Sequence, residues 1–159
     1  MKRASLITLG LFTATLVLAI ACSAPEPTKT PAPRSQSEID SKRGWPIIST
    51  VGDALRFDRA ELRETHQASI KLTFVNASKI YQHNWVLVKA GTKDAVASAG
   101  AAAGAENGWI PAGDDRILAH SGLLDPGETE VVSFSGPFVG TYQFVCTFPG
   151  HAATMFGNL

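Results

Sequence analysis

Ten residues near the C-terminal end, Cys146-Thr147-Phe148-Pro149-Gly150-His151-Ala152-Ala153-Thr154-Met155, restrict what this chain can fold into more than any other stretch. They hold the one cysteine outside the first 22 residues and the one methionine apart from the initiator. A histidine lies between them, and Pro149-Gly150 tightens the turn. A thiolate, an imidazole and a thioether on one loop form a soft metal-ligand set. Such a set needs a further donor from elsewhere in the chain, and Gln82-His83-Asn84-Trp85 offers His83. Cys146 and His83 are 63 positions apart, so only a rigid frame that crosses the domain can hold them together.

The sequence between residues 45 and 159 reads as that frame. Ile70, Leu72 and Phe74 alternate with Lys71 and Thr73, the period of a half-buried strand. His83-Asn84-Trp85-Val86-Leu87-Val88 is apolar on both faces, as a central strand is. Asp125-Pro126-Gly127 is a turn signal leading into Glu128–Phe134, where Val132 and Phe134 share a face. Thr141–Cys146 follows Gly140, with Tyr142, Phe144 and Cys146 pointing one way. Strands separated by turns, without a strand–helix alternation, indicate an all-β antiparallel sandwich or barrel. The stretch from Gly91 to Gly113 is Ala- and Gly-rich and ends in Trp109-Ile110-Pro111. It reads as an insertion that can carry a short helix, packed outside the sandwich and anchored by Trp109 and Ile110.

The N-terminal part has a different character. Lys2 and Arg3 precede an apolar run from Leu6 to Ala21 and then Cys22, the layout of a secretory leader. The run is short against the roughly 20 residues of a spanning helix. Leu18-Ala19-Ile20-Ala21-Cys22 resembles a bacterial lipoprotein signal, with Cys22 as the lipidated residue; an uncleaved signal anchor is the alternative. Residues 1–22 are thus read as leader or anchor. Residues 23–44, with Pro25, Pro27, Pro31 and Pro33, form an extended linker. Residues 45–159 form the domain, which is held on the outer face of the cell membrane.

Composition excludes several function classes. From Trp45 onward there are eight Lys/Arg against eleven Asp/Glu, a net charge near −3 with no basic run, which gives no footprint for nucleic acid. With Cys22 in the leader, Cys146 is alone in the domain, and an unpaired cysteine in an exported protein calls for a reason such as metal ligation. Taken singly, Cys146 is a small buried hydrophobe, Met155 core filler, His151 a surface residue and His83 a strand histidine; only their joint spacing carries the argument. His66 and His120 read as solvated, Trp85 and Trp109 as packing residues, and Asp114-Asp115 as a solvated turn. Four histidines are too few for a multicopper enzyme, and nothing signals the oxyanion hole of a cysteine hydrolase. No enzymatic activity is expected.

His83-Asn84-Trp85-Val86-Leu87, Cys146-Thr147-Phe148-Pro149-Gly150-His151 with Met155, and Asp114-Asp115-Arg116-Ile117-Leu118-Ala119-His120 resemble the motifs of the cupredoxins, specifically the azurin and auracyanin group. The tethering leader and Pro-rich linker resemble the auracyanins. The resemblance implies a Greek-key sandwich with a type 1 (blue) copper site, one ion cycling between Cu(I) and Cu(II). His83, Cys146 and His151 would bind in the trigonal plane, with Met155 as a weak axial ligand and the Gln82 backbone carbonyl opposite. Asn84, Thr147 and Phe148 would surround the ligands, and Phe148 and Pro149 would shield the metal from water. His151 would present its ring edge through an apolar patch with Ala152 and Ala153. The sequence departs from azurin in lacking a second domain cysteine, in carrying Gln82 where glycine is usual, in the insertion, and in ending four residues beyond Met155.

The resemblance further implies a monomeric single-electron carrier outside the membrane. Its donor would be a quinol-oxidising complex, and its acceptor a cytochrome c or a photosynthetic reaction centre. A copper carrier or chaperone using the same ligands is the alternative.

Overall fold

Alternating burial organises the first sheet of the computed structural model, which describes residues 44–64, 69–137 and 139–159. Cys22, the leader, most of the linker and His66 lie outside the described residues. Strand β3 (Ile70–Val75) buries Ile70, Leu72 and Phe74 and exposes Lys71, as its period requires. It pairs along its full length with β6 (Thr129–Phe134), Ile70 opposite Phe134 through Val75 opposite Thr129. Strands β1 (Ile47–Val51) and β2 (Ala54–Phe57) complete the sheet in the order β2-β1-β3-β6. The second sheet has the order β5-β4-β7-β8, from Ile117–His120, Val86–Lys89, Tyr142–Val145 and Phe156–Asn158.

The two sheets make the expected sandwich, with one departure from a purely antiparallel arrangement: β1 runs parallel to β3, Ile47 opposite Thr73 and Ser49 opposite Val75. The chain reaches that register after turning back through β2 and crossing to the far side of β1, a long connection of the kind parallel pairing needs. Between the sheets lie Ile48, Phe57, Leu72, Phe74, Trp85, Leu87, Val132 and Phe144. Phe57 meets Phe144 edge-on at 5.4 Å between ring centroids and Phe74 at 6.1 Å, and Trp85 stacks on Phe144 at 6.2 Å. Such pairs add directional preference to the area they bury, which fixes how the sheets face each other.

Strand β4 is apolar on both faces because both are covered. Leu87 faces the sandwich, while Val86 and Val88 join Val145, Ile110 and Val96 on the other side. Val96 belongs to helix α1 (Lys93–Ala103), the Ala-rich part of the insertion. The helix forms because a run of alanines outweighs the one glycine in its interior. Ile110 anchors it as expected, packed with the buried Val96 and Gly100 of the helix, whereas Trp109 is only partly buried. The insertion lies outside the sandwich but serves as the lid on the outer face of β4 and β7.

Beyond Met155, β8 closes the second sheet against β7, Phe144 opposite Gly157. A Cβ at Gly157 would collide with the Phe144 ring and with the Ala60 carbonyl. Gly157→Ala is therefore expected to destabilise the domain by about 1–3 kcal/mol through overpacking, read as a lower denaturation midpoint. An unchanged midpoint would show that the Phe144 ring can yield.

Candidate metal centre

His83 sits just before β4, and its backbone is pinned from both sides. The His83 N–H donates to the Leu124 carbonyl at 3.2 Å, and the Leu124 N–H donates to the His83 carbonyl at 2.8 Å. Asn76, fully buried, donates from Nδ2 to the carbonyls of Leu124 and Tyr81 at 3.0 and 2.9 Å. The Ser78 hydroxyl accepts from the N–H groups of Ile80 and Tyr81 and donates to Asp53 at 2.9 Å. The Lys79 N–H also donates to Asp53, and these bonds hold its carboxyl below the usual range. The loop entering His83 is thus clasped by its own Asn76 and Ser78 side chains and by Asp53.

Cys146 follows β7, and the loop beyond it closes on itself. The Cys146 N–H donates to the Met155 carbonyl at 3.0 Å, Met155 N–H to the His151 carbonyl at 2.9 Å, and His151 N–H to the Phe148 carbonyl at 3.0 Å. Asn84 joins the two halves. Its Oδ1 accepts from the Thr147 N–H at 2.8 Å, and its Nδ2 donates to Thr147 Oγ1 at 2.8 Å and to the Gly108 carbonyl at 3.0 Å.

The result is a convergence of three buried donors. Cys146 Sγ lies 3.8 Å from His83 Nδ1 and 3.6 Å from His151 Nδ1, and all three ligand atoms fall within 4.8 Å of one another. Among the described residues this is the one cluster of its kind. His83 and Cys146 are fully buried and His151 is 5 % exposed. Met155 is fully buried too, and the Gln82 side chain is tied to Asp125 at 2.6 Å, which fixes the backbone beside His83.

Burial sets the charge state of these groups. It lowers His83 to about 4, helped by the nearby His151, and it lowers His151 as well, so both imidazoles stay neutral with lone pairs free. It raises the Cys146 thiol to about 11, while the backbone N–H groups of Asn84 and Phe148 pull the other way. A buried thiolate facing two neutral imidazoles needs a cation, and a soft-to-borderline metal meets that need. The donor set fits copper.

Around the ligands the rings pack closely. Phe148 lies against His151 at 4.6 Å between centroids, and Tyr81 meets His151 and His83 edge-on at 6.1 and 6.4 Å. Pro149, Ala153, Ile80 and Tyr81 are exposed nearby in sequence or contact, and Ala152 is partly exposed. Tyr81, Gly108 and Gly100 escape the sequence reading, since an aromatic before His83 and two glycines in a Gly-rich stretch carry no distinct signal. Of the residues set aside, His120 is exposed. Asp114 is not a solvated turn residue: its carboxylate pairs with Arg116, which lowers it to about 2.

Comparison with known proteins agrees with this geometry. The description "Copper binding proteins, plastocyanin/azurin family" matches residues 47–159. The chain belongs to the plastocyanin/azurin family. It is 40% identical over 114 residues to auracyanin-A of Chloroflexus aurantiacus, covering 70% of each chain. It is 36% identical over 115 residues to the azurin of Bordetella pertussis, covering 67% of this chain and 77% of the azurin. Among solved structures, a dithionite-reduced auracyanin of the photosynthetic bacterium Roseiflexus castenholzii superimposes with a TM-score of 0.66 at 37% identity, over 70% of this chain and 91% of that one. The family is one of copper-binding electron-transfer proteins, and auracyanin A is described as a "blue" copper protein.

A pH profile tests the buried state of the ligands. In the metal-free protein the unfolded chain takes up protons that His83 and His151 refuse when folded, so stability falls as pH drops from about 6.5 toward about 4. Unfolded Cys146 releases its proton near 9.0 but the folded thiol holds it to about 11, so stability falls again as pH rises across that window. Denaturant titrations of the metal-free protein should show both shoulders; a flat profile between pH 4 and 6.5 contradicts the buried neutral imidazoles.

Proposed function

We propose that this protein is a membrane-tethered type 1 copper carrier that moves single electrons between larger redox complexes on the outer face of the cell membrane. The observation that carries the reading is the convergence of His83 Nδ1, Cys146 Sγ and His151 Nδ1 within 4.8 Å, all buried, on two segments locked together by Asn84. These three residues would hold the ion, with the Met155 thioether and the Gln82 carbonyl as further donors. Bound there, copper supplies a one-electron couple.

The protein's own part is to keep the donors still. The clasp at Asn76 and Ser78, the self-closed loop from Cys146 to Met155 and the Asn84 bridge leave the ligands little freedom to rearrange. A frame that does not relax between oxidation states keeps the barrier to transfer low. Phe148 and Tyr81 limit water around His151, the ligand nearest the surface, and an electron would pass there. Docking would be brief, on an apolar patch formed by His151, Ala152, Ala153, Ile80 and Tyr81, because small contacts release quickly. By likeness to the auracyanins, the donor would be a quinol-oxidising complex, and the acceptor a cytochrome c or a reaction centre. A copper carrier would use ligands open to exchange, and the burial of all three donors favours the electron-transfer reading over it.

Loading the purified protein with Cu(II) should give an intense Cys-to-copper charge-transfer band in the red, a blue protein, and narrow copper hyperfine splitting. A colourless Cu(II) form overturns the proposal. Cys146→Ser should abolish the colour, and Met155→Leu should keep it and raise the reduction potential, because removing a weak donor disfavours the oxidised ion. For the tether, mass spectrometry of the mature N-terminus should find acylated Cys22; residues 1–21 retained without acylation would point to a signal anchor instead.

A further inference from the structure

Trp109 is the one non-glycine among the described residues with a left-handed backbone, φ 61°. A bulky residue rarely adopts this region, and where it does the surroundings hold it there. Here the surroundings are specific. The Trp109 N–H donates to the Gly104 carbonyl at 3.1 Å, and the preceding Gly108 N–H donates to the Ala105 carbonyl at 2.9 Å. The Gly108 carbonyl accepts from Asn84 Nδ2 at 3.0 Å, one residue from His83. The Trp109 carbonyl presses on Gly100 of α1, where any Cβ would collide with it, and that same Cβ position lies 3.3 Å from Thr147 Cβ. The corner is fixed by the helix on one side and by Asn84 and Thr147 on the other.

The strain has a consequence at the metal centre. The corner turns the Trp109 ring edge-on to Phe148, with centroids 5.7 Å apart, and Phe148 in turn lies on the His151 ring at 4.6 Å. His151 belongs to a turn whose only ring contacts besides His83 are Phe148 and Tyr81 among the described residues. The His151 backbone is held by the bonds of its own loop, and it is the ring that these neighbours bound. We propose that Trp109 is a positioning residue for His151, acting through Phe148: the left-handed corner of the insertion holds the indole where it backs the ring that orients the exposed-side ligand and keeps water from it.

This rests on the copper-site reading above, and the experiment separates the two. Two ring-free variants, Trp109→Gly and Trp109→Asn, suit a left-handed backbone, so the fold should survive in at least one of them; Trp109→Phe keeps an aromatic ring. The first readout uses the redox-silent Zn(II)-loaded protein, in which nitrogen relaxation of the His151 ring reports its motion. Conformational exchange of that ring should grow by about two- to tenfold in the ring-free variants, the range an aromatic pair is worth. It should return most of the way to the wild-type value in Trp109→Phe. The second readout is the copper-loaded protein, where the ring-free variants should stay blue but show a lower reduction potential, since water near the site favours the more highly charged ion. Unchanged His151 dynamics in a folded ring-free variant, or Trp109→Phe as disturbed as Trp109→Gly, would overturn the proposal. A wild-type protein that is not blue would instead defeat the copper reading and leave the zinc measurement to decide on Trp109.

Discussion

The paired hydrogen bonds between the Asn84 side chain and Thr147 are the joint on which the site depends. Each half of the ligand set is built locally, His83 by its bridge to Leu124 and Cys146–Met155 by a loop that closes on itself. The antiparallel ladder of β4 with β7, Val86 opposite Val145, brings the two halves side by side, and beyond its end the side chains must tie them. The amide of Asn84 makes that tie by matching one acceptor and two donor directions to the Thr147 backbone, the Thr147 hydroxyl and the Gly108 carbonyl. Because both residues are fully buried or nearly so, leaving any of these groups unpaired would carry the full desolvation cost. The joint is therefore rigid, and a metal bound across it inherits that rigidity.

The same burial that makes the joint strong also dictates the chemistry. Apolar surroundings keep two imidazoles neutral and a thiol protonated until a cation arrives, so the site is poised for a metal and little else. The backbone N–H groups of Asn84 and Phe148 favour the thiolate, but burial outweighs them in the metal-free site. The insertion contributes as well. Its helix covers the outer face of β4 and β7, and its Gly108–Trp109 corner touches both Asn84 and Phe148.

Much of this was legible beforehand because ligand chemistry and strand periodicity are local properties. The spacing of Cys146, His151 and Met155 marks a loop, the alternation of Ile70, Leu72 and Phe74 marks a strand, and the two-faced apolar run at Val86–Val88 marks a central one. Other features depend on contacts between distant segments. The parallel pairing of β1 with β3 leaves no trace in the alternation of either strand. Asp114 looks like a surface turn residue until Arg116 is seen folded over it. Trp109 reads as an anchor for the insertion, and only its backbone conformation and its place beside Phe148 reveal which way it faces.

By itself the sequence determined which atoms can bind a metal and that they lie on a strand-built frame, because donor identity and side-chain period are written residue by residue. The tertiary structure alone decided that His83 and Cys146 meet, that the insertion becomes a wall of the site, and that the strand after Met155 pairs with β7. Each of these is a choice of partner across the chain, made by packing and by the cost of burying an unpaired polar group. No local pattern encodes that choice.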